Sequence, residues 1–156
     1  MNWLVLARAL HVVSVVLWIG GVGFAASVLL PGISASVAAP QRFASFRAFE
    51  SRFVWIARAS VVIVGASGFY MLVGLHLGAA MVLPRYWWLH AMIGLWLLFA
   101  AILFIAEPLF LHRWMEQRHA AAPEKYFRRL QIMHWVLLVL ALVTVCGAVE
   151  GAHGGL

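Results

Sequence analysis

Aspartate is absent from this 156-residue chain, cysteine occurs once, and only 10% of the residues carry a charge. Each shortage excludes something. The single cysteine, Cys146, rules out a disulfide within one chain and any cysteine cluster for zinc or iron–sulfur. Lying in an apolar run, it is expected to be a small packing residue. There is no HExxH helix and no phosphate-cradling glycine loop ahead of a helix, so those chemistries are discounted. So small a charged fraction, with a mean hydropathy of +0.99, eight Trp and ten Phe, excludes an ordinary soluble core. Only a membrane protein fits.

What is present is a set of long apolar runs with basic residues between them. The length suits one domain, 1–156. The net charge of +6 does not point to nucleic acid, because the basic residues fall between the runs and read as topology signals. Runs of about 20 apolar residues predict four spans: Trp3–Leu30, Phe53–Leu75, Trp87–Phe110 and Leu130–Val149. The first is too long for a signal-peptide core and is interrupted by Arg8 and His11, so a retained span is expected. The fold class expected is an all-α, integral membrane four-helix bundle.

Arg42, Arg47 and Arg52 precede the second span, and Arg113, Arg118, Lys125, Arg128 and Arg129 lie between the third and fourth. Only Arg8 and Arg85 lie on the other side. The positive-inside rule then puts both termini outside and the basic connections in the cytoplasm. Trp3, Trp87 and Trp88 fit an outer aromatic belt, Trp55 and Trp114 an inner one. The stretch Phe43–Phe53 alternates Phe with Arg, Ser and Glu50, and reads as an amphipathic segment on the membrane surface leading into the second span.

Against this background His11, His90 and His134 stand out, because a histidine inside hydrocarbon is costly and by default faces the bundle interior. Neutral imidazole is also a common metal and haem ligand. At 1.5 Å per residue, His11 and His90 fall at one depth near the outer face, flanked by Arg8, Arg85 and His76. Two imidazoles from different helices at one depth suit a b-type haem, with the arginines pairing its propionates. Arg8, His11, Ser14, Trp18 and Gly21 form one stripe on the first span. Near the inner face Arg58, Glu107 and His134 form a second polar group, either a structural ion pair with a histidine neighbour, or a proton or quinone site, or one half of a second haem site. His112 and His119 are expected in the cytoplasmic loop. Met71, Met81, Met92, Met115 and Met133 lack the paired spacing of a copper(I) path.

The stretch Ala9–Gly21 (ALHVVSVVLWIGG) resembles the first span of CopD-like membrane proteins and of HemJ-type protoporphyrinogen oxidases, in which a histidine precedes a Trp and a small pair. Trp88-Leu89-His90-Ala91-Met92 resembles the Trp-Leu-His-x-Lys stretch of the HemJ type. Arg52-Phe53 and Ala57-Arg58, leading into Gly65 and Gly68, are similar to the second span of the CopD-like group. The resemblance implies a compact four-helix membrane protein. In the HemJ type it also implies a b-haem held by the first-span histidine, here His11, and by a third-span lysine. That lysine position is Met92 in this chain. His90 and Met92 lie about 200° apart around a helix and cannot both face one site. Imidazole being the better general ligand, the pair expected is His11 with His90, Met92 being the alternative.

The sequence reading is therefore a b-type haem redox protein of the bacterial inner membrane, an oxidoreductase or electron carrier acting on a quinone or a porphyrinogen-like substrate. Its partners would be the lipid bilayer, haem, a quinone or redox protein, and a second copy or a larger complex, without nucleic acid. One rival is a copper-handling or transport protein of CopD type, with histidine and methionine as ligands. The other is a non-catalytic accessory subunit whose histidines only bridge helices, each contact being worth about 1 kcal/mol.

Overall fold

The structure, a computed structural model, describes residues 2–111 and 122–153. His112, Arg113, Trp114, Met115, Arg118 and His119 lie outside these residues. Four helices are long and apolar enough to cross a membrane: α1 (Trp3–Ser36), α2 (Ala39–Gly74), α3 (Pro84–Leu109) and α4 (Pro123–Ala152). They alternate in direction, so both ends of the described chain lie at one end of the bundle, here the termini end. Lys125, Arg128 and Arg129 open α4, and Arg42, Arg47 and Arg52 open α2, at the opposite, basic end.

The connection expected over residues 31–52 is nearly all helical. Only Val37 and Ala38 are extended, and the Arg42 Nε–H donates to Val37 O at 2.8 Å across this break. Pro40 sits in the first turn of α2, where its missing N–H removes no helical bond. The amphipathic segment thus continues straight into the span as one 36-residue helix. Phe49 stays exposed, but Phe46 packs with Leu30, Ile33, Phe127 and Leu130 in a small core at the basic end, with Phe43 against it. Burying that surface against two other helices replaces the membrane-surface position expected of it.

α1 and α2 form the most extensive antiparallel pair. Leu4 lies against Gly74, His11 against Gly68 and Phe53 against Gly21, which fixes their register. α3 and α4 pair similarly, with Trp87 resting on Gly147 and Trp88 on Gly151. A Cβ at either glycine would run into an indole, so these glycines exist for close approach. Trp88 is accordingly buried and supports the bundle rather than an aromatic belt, whereas Trp3 and Trp55 are exposed. Trp18 of α1 and Phe99 of α3 meet edge-to-face across the main core with ring centroids 4.6 Å apart.

Two helices widen into π-turns, at Ala25–Leu29 and Ile102–Leu111. Each is associated with a proline, Pro31 and Pro108, whose ring and missing N–H a regular helix interior does not accommodate. α2 ends in a Schellman turn: His76 takes the left-handed conformation (φ 54°), its N–H bonds Val73 O, and Leu77 N–H bonds Leu72 O.

Candidate functional site

His11 faces α2 from the termini half of α1. Its Nδ1 lies 3.1 Å from both Val64 O and Ser67 Oγ. The Ser67 hydroxyl donates to Ile63 O at 2.5 Å, so toward His11 its oxygen accepts, and Val64 O can only accept. Both partners therefore require Nδ1 to carry the proton. The lone pair then sits on Nε2, which has no hydrogen-bond partner among the described residues. A ring N–H held by a backbone carbonyl is the usual way a metal-ligating histidine is oriented.

α3 offers one face to this level. Trp88, Leu89 and Phe99 are buried, Met92, Leu95 and Trp96 are half-buried, and His90, Ile93, Gly94 and Leu97 are exposed. His90 therefore points away from the bundle and Met92 into it. The expected pairing of His11 with His90 across the interior is not assembled, because two residues along a helix reverse the face. The Trp18–Phe99 contact shows what is assembled. His11 and Met92 each stand seven residues toward the termini end from one of those rings. Both keep their ring's face and share a level, about 10 Å from that contact.

The arginines expected beside a haem are not gathered here. Arg8 is exposed on α1, and Arg85 is exposed with its guanidinium 5.0 Å from the Tyr86 ring centroid. His76 is exposed at its turn. Cys146, expected in packing, is exposed on α4. The hydroxyl-bearing Ser14, Ser60 and Ser67 are buried, the last at the α1–α2 seam beside His11. The Trp18 Nε1 is buried without a hydrogen-bond partner among the described residues.

At the basic end Arg58 and Glu107 do meet. Arg58 Nη2 donates to Glu107 Oε2, and both Nε and Nη2 donate to Leu103 O at 3.1 Å. The choice of carbonyl has a physical reason. In a π-helix the N–H bonding Leu103 O would be that of residue 108, five along, and residue 108 is proline. Arg58 supplies the donor that Pro108 lacks, and its charge is matched by Glu107, with Trp55 stacked at 5.1 Å. Arg47 stands 3.9 Å from the other oxygen of Glu107 and also pairs with Glu50 at 3.1 Å. His134 does not join this group. Its Nδ1–H donates to Leu130 O at 2.9 Å within α4, and Phe46 meets its ring edge-to-face.

No group of three or more His, Cys, Asp or Glu side chains suited to a metal ion occurs among the described residues. Methionine lies outside that set. Among known proteins, residues 47–148, more than half of the chain, match the family model described as copper resistance protein D. No curated protein and no solved structure matches.

Proposed function

The chain belongs to the copper resistance protein D family, and on that premise we propose that it is an integral membrane protein that handles copper, binding the ion in the termini half of its bundle through His11. The observation that carries this reading is the fixed Nδ1–H of His11, which leaves Nε2 as a bare ligand inside the span. Such a nitrogen serves no structural purpose that the Nδ1 bonds do not already serve. The packed contact of Trp18 with Phe99 beneath it closes the interior. The protein in this form therefore holds its ion at one face rather than offering an open pore.

The charges at the ends support an orientation. Arg42, Arg47, Arg52, Lys125, Arg128 and Arg129 share the basic end, which by the positive-inside rule faces the cytoplasm of a bacterial inner membrane. Copper then meets the protein from the outer side, where both ends of the chain lie.

A b-type haem is the second reading, since the His11 arrangement also suits an axial ligand. The bis-imidazole form does not fit the residues present, His90 being on the exposed face; the form that fits takes His11 with Met92. One preparation separates the readings. Protein purified in detergent from cells supplied with copper and haem is expected to carry copper without a Soret band. A Soret band with a sharp reduced α-band and stoichiometric iron establishes the haem reading instead. Protein free of both metals overturns both and leaves an accessory subunit.

A further inference from the structure

We propose that His11, Met71 and Met92 together form a three-helix site for monovalent copper. The inference rests on the copper reading and deepens it by naming the ligands and the oxidation state. Trp18, Val64 and Phe99 belong to one core cluster, contributed by α1, α2 and α3. Seven residues toward the termini end from each of them stand His11, Met71 and Met92. Seven residues are about two turns with only about 20° of drift, so each of the three keeps the inward face of its core residue. All three are half-buried.

The levels also agree. His11 and Met92 are level because the rings of Trp18 and Phe99 touch. The register of Leu4 on Gly74 and His11 on Gly68 sets Met71 about one turn closer to the termini end. Helical side chains lean toward their own N-terminus. α1 and α3 run away from the termini end, so His11 and Met92 lean toward it, while α2 runs toward it and Met71 leans back. The offset of one turn is therefore one the side chains close. α4 turns Thr144, Gly147 and Ala148 inward at this level, while its Cys146 is on the exposed side.

The donor set selects the ion. Thioether sulfur and imidazole nitrogen are soft to intermediate ligands that favour copper(I), whereas magnesium, calcium and manganese prefer oxygen. The chain has no aspartate, and the described glutamate at this end, Glu150, is exposed. Among the described residues no buried carboxylate at this end offsets the charge of a bound ion. Since the cost of burying an ion grows with the square of its charge, a monovalent ion costs about a quarter of what a divalent one does. The methionines lack paired sequence spacing because the pairing runs across helices rather than along one.

The test is an anaerobic titration of the full-length protein in detergent with copper(I) against a chromophoric copper(I) chelator. Met71→Leu and Met92→Leu are compared with Met133→Leu, a control on an exposed position of α4. Leucine keeps the volume and apolar character, and a melting curve on each variant verifies the fold. The wild type is expected to bind one equivalent, each of the two site variants to lose tenfold or more in affinity, the control to match the wild type, and zinc(II) not to compete. Wild-type affinity in both Met71→Leu and Met92→Leu overturns the site while leaving the copper reading in place. A wild type that takes up no copper(I) overturns both.

Discussion

The two ends of the bundle both hold polar side chains inside a membrane, and they satisfy them in opposite ways. At the basic end the Arg58 guanidinium is matched group by group: a carbonyl deprived of its donor by Pro108, the Glu107 carboxylate and the Trp55 ring. At the termini end the protein fixes one nitrogen of His11 and leaves the other bare. Burial of polar groups is costly in either place, and the first arrangement repays that cost internally. The second leaves the His11 Nε2 without a partner among the described residues but still accessible, and so open to a ligand. The difference between His11 and His134 shows that one bare nitrogen is not enough to mark a function: both rings are held through Nδ1–H, but His134 is held within its own helix and covered by Phe46, whereas His11 is held across the α1–α2 seam.

Breaking the basic end should have the larger effect on stability. Arg58→Met leaves Glu107 short of its main partner and Leu103 O without a donor, and is expected to cost about 3 kcal/mol, read as a lowered unfolding midpoint in mild detergent. Copper binding by the protein that remains folded should be unchanged. The same latch predicts a coupling: Pro108→Ala restores an N–H near Leu103 O. The cost of Arg58→Met should then shrink by about 1 kcal/mol in that background, as a double-mutant cycle measures. Strict additivity would mean that the carbonyl and the proline are unrelated.

At the termini end the contrast lies between two histidines on different faces. His90→Leu, on the exposed side of α3, is expected to leave copper affinity within about twofold of the wild type, since a thousandfold loss would need about 4 kcal/mol of direct interaction. A large loss would return His90 to the site. Smallest of all is Trp18→Phe. The ring area it loses is offset by removal of a buried N–H that has no partner among the described residues, so unfolding should shift by no more than about 1 kcal/mol.

Much of this was legible in the sequence, for reasons that particular residues make plain. The four spans follow from apolar length alone. The pairing of Arg58 with Glu107 follows from the cost of a lone charge in lipid. The continuity of α2 was hidden because Phe43–Phe53 carries an amphipathic pattern that fits a membrane surface and a protein groove equally well. Its true cover, Phe127 and Leu130, lies far along the chain. The choice between His90 and Met92 was posed correctly as a matter of face, yet only packing could decide it. Trp88 turns inward onto α4, Leu89 beside it is buried, and Met92, one turn on from Trp88, shares that inward face. Pro108 was visible throughout. Its consequence depended on the helix widening so that the orphaned carbonyl fell within reach of an arginine on another helix.

The most direct test of the contrast is the copper content of the full-length protein, purified from copper-supplied cells, measured with its unfolding midpoint for the wild type and His11→Ala. An interhelical hydrogen bond in a membrane is worth about 1 kcal/mol, so the variant should remain folded. Near-complete loss of copper with a small change in midpoint is the expected result. Copper at the wild-type level in folded His11→Ala would contradict it.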